Sequence, residues 1–267
     1  GMRLYLNYFK LRIITFLQYR TSAIAGMMTQ FFWGAMMIFI YMAFYSSDTS
    51  VGINLTEIIA YTWLHQACYA LLSVRQNDHE ISGAIRDGSV AYEIVRPYNL
   101  YFWWYIKAVS KRMANGILRI WPVLLLAFLL PEPYRLVLPS SFGNFVLFLV
   151  SLILGIFVVA GLNLLVYTIG FYTYNDAGIG SILNCIMEVL SGGLVPVVLL
   201  PGVIQKTTYY LPFRLISDLP FRVYTNNIGI YEGLTSIGLQ VIWIAVLIFL
   251  GNMIVKRSLR KVFVQGG

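Results

Sequence analysis

The strongest constraint on the fold of this chain is a series of six long, mostly apolar stretches. The hydrocarbon core of a membrane is roughly 30 Å thick, and a helix needs about 20 apolar residues to cross it. The stretches have the required length and comprise residues 21–45, 54–74, 115–130, 142–171, 177–199 and 234–255. The sequence therefore predicts an all-α integral membrane protein with six transmembrane helices.

The composition excludes an ordinary water-soluble domain, because 59% of the residues are hydrophobic and only 11% are charged. Both cysteines lie within apolar stretches, which excludes a disulfide-built scaffold and a paired-cysteine metal site. The zinc-protease motif HExxH, the nucleophile motif GxSxG and the phosphate loop GxxxxGK(S/T) are all absent from the sequence. We therefore predict no catalytic residue, metal or cofactor on this chain.

The distribution of Lys and Arg predicts the orientation of the helices. Of 19 basic residues, 15 lie before the first stretch, around the loop between the second and third, or after the sixth; the other 4 lie on the opposite side. Loops rich in Lys and Arg stay in the cytoplasm, so both termini and the central loop are predicted to be cytoplasmic. Membrane-flanking positions and anionic lipids also account for the net charge of +8, so no nucleic-acid partner is expected.

Two basic segments next to these stretches carry interleaved aromatic residues. Residues 3–20 place aromatic and aliphatic side chains at helical spacing, which predicts an N-terminal interfacial helix along the cytoplasmic headgroups. This helix is either a membrane anchor or a lever attached to the first span. The aromatic residues 101–105 precede further cations, and we expect them to form an interfacial belt before the third span.

The central loop, residues 75–98, is the most polar part of the chain and contains the pattern of a short helix. The pattern consists of an N-terminal cap, an acidic first turn, two apolar residues on one face and a charged end before Gly88: Asn77 or Asp78, Glu80, Ile81 and Ile85, then Arg86 and Asp87. Residues 95–97 should be extended because Pro97 disfavours helix before it. The loop either only sets topology or docks a cytoplasmic partner.

The segment between the fifth and sixth stretches is too apolar and too rich in proline for an ordinary water-exposed loop. Residues 191–193 and Pro196 predict a break near the end of the fifth span, and Pro201 and Pro212 follow. Non-helical backbone at membrane depth must be buried in protein or line a wet cavity. We therefore predict an outer re-entrant segment that serves as a gate.

Polar residues inside the predicted spans are functional candidates, because ionisable groups are costly in a membrane. Asn184, Glu188 and Ser191 form one polar stripe on the fifth span. We interpret this stripe as a permease interface or translocation path, since a proton relay would need further acidic or histidine partners. His65 in the second span can hydrogen-bond across helices and joins these candidates.

The order and spacing of these features resemble the type-2 ABC exporter permeases. The likeness is to bacterial permease subunits of this length that carry no ATPase domain of their own. It covers essentially the whole chain and is carried by residues 80–88, 94–99 (IVRPYN), 191–196 (SGGLVP) and 211–213 (LPF).

The resemblance implies that residues 1–267 are a single permease domain in the bacterial inner (plasma) membrane. It implies that the segment from Asp78 to Asp87 is a coupling helix, seated in a groove of a cytoplasmic ATPase that binds ATP-Mg. It further implies two ATPase copies and a second permease, identical or related. ATP-driven closure would move the permeases and drive substrate outward.

Two other functions compete with this interpretation. A membrane-embedded enzyme acting on lipid or isoprenoid phosphate would need clustered acidic and basic groups. The only such group is Asp78, Glu80, Arg86 and Asp87, and its spacing is not that of a metal site. The other alternative is a non-catalytic membrane partner, such as an immunity or sensor protein.

Overall fold

The structure is a computed structural model that describes residues 2–18, 20–46, 52–75, 78–94, 98–172 and 176–265, and its regular structure there is helical. The predicted cap Asn77 and the predicted extended residues 95–97 lie outside the described residues. The helices in chain order are α1 (Met2–Leu17), α2 (Arg20–Tyr45), α3 (Leu55–Leu72), α4 (His79–Arg86), α5 (Val90–Ile94), α6 (Leu100–Leu129), α7 (Phe142–Ile169), α8 (Asp176–Leu190), a 3₁₀ turn (Val197–Leu199), α9 (Gly202–Tyr209), α10 (Asp218–Tyr224) and α11 (Ile230–Gln265).

Four helices within the described ranges are long and apolar enough to cross a membrane: Ile24–Tyr45, Leu100–Leu129, Phe142–Ile169 and Ile230–Arg260. The second predicted span corresponds to α3, which has 18 residues, and the fifth to α8, which has 15. The all-helical fold is thus confirmed, and the count of six spans stays a prediction.

Two predicted boundaries are wrong. The third span was expected at residues 115–130, but α6 begins at Leu100, where the Asn99 side chain accepts a hydrogen bond from the Phe102 N–H at 3.0 Å. The expected interfacial belt is therefore part of this helix, and Tyr101 and Trp104 are each only 1% exposed. The fifth span was expected to continue to residue 199, but α8 ends at Leu190.

Helix α3 lies at the centre of the fold and packs against α2, α6, α7 and α10. Its Trp63 is 1% exposed and donates its indole N–H to the Tyr134 carbonyl at 2.7 Å. Phe31 of α2 stacks on Trp63 with ring centroids 5.2 Å apart. A Cβ at Gly34 would lie 2.7 Å from the Trp63 ring, so the absence of a side chain there lets α2 approach α3 closely.

The segment between α8 and α11 is folded into the protein. Its side chains Leu215, Leu219 and Phe221 have no solvent exposure. The Gln240 amide of α11 donates to the carbonyls of Leu215 and Ser151, each at 2.9 Å, and so joins this segment to α7 and α11. That the segment re-enters the membrane stays a prediction.

Asp218 is the polar centre of this outer segment and is completely buried. Its carboxylate accepts the backbone N–H of Val197 at 2.9 Å and pairs with Arg222 at 3.2 Å. Arg222 also donates to Asn227 at 2.7 Å, and the Asn227 amide reaches the Glu57 carboxylate near the start of α3 at 3.0 Å. A chain of polar contacts therefore ties α10 to α3.

We expect Asp218→Ala to lower the free energy of unfolding by about 3–5 kcal/mol, because it leaves the Arg222 guanidinium without its buried anion. Unfolding of the purified protein in detergent measures the change. Glu132→Ala is the control, since Glu132 forms an exposed ion pair with Arg135 whose loss should cost no more than about 1 kcal/mol. Equal stability of the two variants would contradict the role of Asp218.

Candidate functional site

A cavity of about 400 Å³ lies between α2, α3 and the chain that follows α8. Its wall is aromatic and polar, with a single acidic residue and a single arginine among the lining residues that the structure describes. The residues that line it are Thr29, Gln30, Trp33, Met37, Tyr41, Tyr61, Thr62, His65, Gln66, Tyr69, Arg75, Glu188, Gly192, Gly193, Leu194 and Pro196.

Helical spacing explains why α3 supplies so much of this wall. Tyr61, His65 and Tyr69 are four residues apart and therefore project from one face of the helix. The start of α3 is held by a reciprocal cap, in which the Asn54 side chain accepts the Glu57 N–H at 2.8 Å and the Glu57 carboxylate accepts the Asn54 N–H at 3.0 Å. The aromatic face is thus presented by a well-terminated helix.

The two charges in the wall form an ion pair. The Arg75 Nε lies 3.4 Å from the Glu188 Oε2. The Glu188 side chain is 11% exposed, whereas that of Arg75 is 58% exposed. A buried carboxylate is therefore neutralised by an arginine that reaches it from the loop after α3.

The chain after α8 turns sharply beside this pair. Gly192 has φ of +81°, a conformation that residues with a side chain rarely adopt. The Tyr61 hydroxyl donates to the Gly192 carbonyl at 2.8 Å, and the Asp218 N–H donates to the Ser191 carbonyl at 3.0 Å. A Cβ at Gly193 would lie 2.7 Å from Glu188 Oε1, so the turn also packs on the carboxylate.

The structure brings some of the predicted path residues together. His65 and Glu188 line the same cavity, and Pro196 of the predicted gate joins them. Asn184 is half-buried one turn before Glu188, and Ser191 is buried with its hydroxyl bonded to the Glu188 carbonyl at 3.2 Å, but neither lines the cavity.

The two other predicted gate prolines stand elsewhere. Pro201 is exposed and immediately precedes α9, while Pro212 is buried at the turn before α10. Neither residue lines the cavity.

The predicted coupling residues occupy α4 and its cap, where the two faces differ. Asp78 caps the helix by accepting the Glu80 N–H at 3.1 Å. Ile81 and Ile85 are 1% and 8% exposed and pack into the core of this chain. Arg86 and Asp87 are exposed, so the polar face is the one that a partner can reach.

Glu80 connects α4 to two other helices. Its carboxylate pairs with Arg12 of α1 at 3.0 Å and with Lys107 of α6. The hydrogen bond from Lys107, aided by Arg12, lowers the pKa of Glu80 below its ordinary value. Glu80 is therefore ionised at neutral pH and links α4 to both helices.

Backbone contacts hold the start of α4 and the end of α3. The Tyr167 hydroxyl of α7 accepts the Asp78 N–H at 2.7 Å, and Lys111 lies 3.7 Å from the Asp78 carboxylate. The buried Arg112 donates to the carbonyls of Leu71 at 3.1 Å and Ser73 at 2.8 Å. Helices α6 and α7 thus position both ends of this connection.

The sequence does not predict the contacts of Arg75 with Glu188 or of Arg112 with the Leu71 and Ser73 carbonyls. From the sequence, both arginines serve only as evidence for membrane orientation. The sequence also does not predict the contact of Tyr61, which is one of many aromatic residues in the chain. The available signal for Arg75 was its position directly after an apolar stretch, close to the polar residues of α3. No sequence signal indicated that Tyr61 would bond the turn at Gly192.

A family comparison agrees with this architecture. The sequence model of the family described as "ABC-2 family transporter protein" matches residues 31–266, a range that includes α4 and all the cavity-lining residues from Trp33 onward. The chain belongs to the ABC-2 transporter family and is a multi-pass membrane permease. A search of curated proteins finds no match to this chain.

Gly192→Ala should destabilise the protein by about 2–3 kcal/mol, because a side chain there is strained by the positive φ and overlaps the Tyr61 hydroxyl. Thermal unfolding in detergent tests this expectation. Gly238→Ala is the matched control: Gly238 lies within α11 with open space around it, so the change should be neutral or stabilising by up to about 1 kcal/mol. A Gly192 variant as stable as this control would contradict the expectation.

Glu80→Gln should loosen α1, because it removes the anion shared by Arg12 and Lys107. We expect hydrogen exchange in α1 to rise severalfold while global stability changes by less than about 1 kcal/mol. The lowered pKa means that this contact stabilises above the ordinary carboxyl range, about pH 4, and is lost as the pH falls through the folded-state value. Asp87→Asn is the control, and unchanged exchange in α1 after Glu80→Gln would refute the link.

Proposed function

We propose that this chain is the permease subunit of an ATP-driven exporter and works with a separate cytoplasmic ATPase. The observation that carries the proposal is the two-sided character of α4. Its apolar face is held in the permease core, and its charged end is exposed to a partner. A helix held in this way can transmit motion from a partner to the membrane helices.

The connections of α4 support this role. Glu80 links it to α1 and α6, and Asp78 links it to α6 and α7. Asp78, Glu80, Arg86 and Asp87 belong to the predicted coupling segment, and the buried Ile81 and Ile85 hold this helix in place. In our proposal Arg86 and Asp87 contact the ATPase, and the buried isoleucines transmit its movement.

We place the energy source on a separate polypeptide, since residues 1–267 contain no phosphate-binding loop. We propose two ATPase copies that bind ATP-Mg and a second permease, identical or related, with residues 1–267 as one permease domain. In this proposal both termini are cytoplasmic, which the Lys and Arg distribution supports, and transport is outward, which the resemblance to exporter permeases supports. A two-state movement of the permeases, biased by nucleotide, would open and close the path.

The cavity beside α3 is the proposed half of the translocation path. It contains Glu188 and His65, which are costly in a membrane unless they face protein or water. Pro196 and the turn at Gly192 form one of its walls, which fits an outer gate. The competing enzyme hypothesis is weaker, because Asp78 and Glu80 are engaged with Lys111 and Lys107.

Replacing Arg86 and Asp87 together with alanine should uncouple ATP hydrolysis from transport. The complex purified with its ATPase and reconstituted in vesicles should lose most of its export and its substrate-stimulated hydrolysis, while the permease keeps its thermal stability. The reason is that both side chains are exposed on the face available to a partner.

Glu132→Ala combined with Arg135→Ala is the matched control. It removes one exposed positive and one exposed negative side chain far along the chain from α4, and should leave export and hydrolysis unchanged. Normal coupling in the Arg86 and Asp87 variant would refute the docking role of α4. A permease that purifies without any ATPase and transports alone would refute the function itself.

A further inference from the structure

We propose that the cavity binds hydrophobic organic cations, with the Glu188 carboxylate holding the positive charge and Arg75 occupying that place when the cavity is empty. This inference rests on the proposed function and deepens it by naming the class of substrate. Three features carry it: a buried anion, a replaceable cation and an aromatic wall.

Glu188 supplies the anion. The residue is 8% exposed, and within the described part of the chain no hydrogen bond reaches its Oε2. A buried charge that lacks a partner is strongly destabilising, so this carboxylate needs a cation beside it. The ion pair with Arg75 at 3.4 Å meets that need.

Arg75 is suited to be displaced. Charge-assisted hydrogen bonds are usually about 2.7–2.9 Å long, so the 3.4 Å separation is a loose pair. The arginine side chain is 58% exposed and can return to water at little cost. An incoming cation can therefore take its place without leaving a buried charge unpaired.

Aromatic rings and size complete the match to the ligand. Trp33, Tyr41, Tyr61 and Tyr69 all line the cavity, and aromatic faces attract organic cations. The volume of about 400 Å³ lies in the range of roughly 300–1,000 Å³ that is usual for small-molecule sites. The neutral groups of Thr29 and Gln30 add hydrogen-bonding capacity without further charge.

The same geometry disfavours a hydrophobic anion. Arg75 is the one Lys or Arg among the described lining residues, and it already neutralises Glu188. An anion that captured Arg75 would leave the carboxylate buried beside a second negative charge. The His65 ring packs edge-on against Tyr69 and Phe221, so two of its neighbours are aromatic rings and not cations.

Tetraphenylphosphonium and tetraphenylborate test the inference, because they have nearly the same shape and opposite charge. Each is titrated calorimetrically into the purified permease in nanodiscs of neutral phosphatidylcholine, with empty nanodiscs subtracted. We expect saturable binding of the phosphonium and none of the borate. Equal binding of both, or binding of the borate alone, overturns the proposal, and this selectivity in the native protein does not depend on any variant folding.

Three variants locate the site. Glu188→Gln should weaken phosphonium binding at least tenfold, and Trp33→Leu about threefold or more, since it removes one aromatic face. Arg75→Gln should bind at least as tightly as the native protein, because the competing cation is gone. Glu132→Gln and Arg135→Gln are the controls and should change nothing.

Unchanged affinity in Glu188→Gln, or loss of binding in Arg75→Gln, overturns the assignment. The outcome is separable from the test of the proposed function. If phosphonium binding depends on Glu188 but α4 proves unnecessary for coupling, the site stands and the transporter mechanism falls. If coupling through α4 holds and no cation binds, only the substrate class is wrong.

Discussion

The fold depends on the hydrogen bonds that pair the buried backbone N–H and C=O groups after α8. Buried N–H and C=O groups must be paired, and a helix that ends inside a protein leaves several of them free. Here Tyr61 pairs the Gly192 carbonyl, and Asp218 pairs both the Ser191 carbonyl and the Val197 N–H. These bonds from α3 and α10 add to the backbone bonds of the turn itself, and the turn holds Glu188 and Pro196 in the cavity wall beside α3.

The cavity and α4 are connected by the short chain between α3 and α4. Arg75 reaches Glu188 from this chain, and Asp78 begins α4 three residues later. Arg112 holds the Leu71 and Ser73 carbonyls on the other side of Arg75. The Arg75–Glu188 ion pair in the cavity wall therefore lies only three residues along the chain from the cap of α4.

The sequence was sufficient for features that follow from local patterns. Apolar length predicted a helical membrane protein, and the Asp78, Glu80 and Ile81 pattern predicted α4 nearly to its ends. The break near Ser191 followed from two glycines and a proline. The sequence was not sufficient to predict tertiary contacts. Nothing local distinguishes Tyr61 from the other tyrosines, and Arg75 indicates only membrane orientation until the fold places it beside Glu188. The sequence predicts Tyr101 and Trp104 in a headgroup belt, whereas the fold buries them at the start of α6, because aromatic residues suit both environments.

Helix α1 is held by two kinds of contact of different strength, aromatic packing on α6 and an ion pair with α4. Tyr5 and Tyr8 pack on Trp103 with ring centroids 5.8 and 4.8 Å apart, and such pairs contribute about 0.5–1.5 kcal/mol each. The exposed pair of Arg12 with Glu80 contributes at most about 1 kcal/mol. The rings therefore hold α1 against α6. The ion pair adds little stabilisation, but it fixes the orientation of α1 because it joins α1 to α4 at one point. The position of α1 on α6 is therefore set by the rings, and the ion pair fixes only the point at which α1 meets α4.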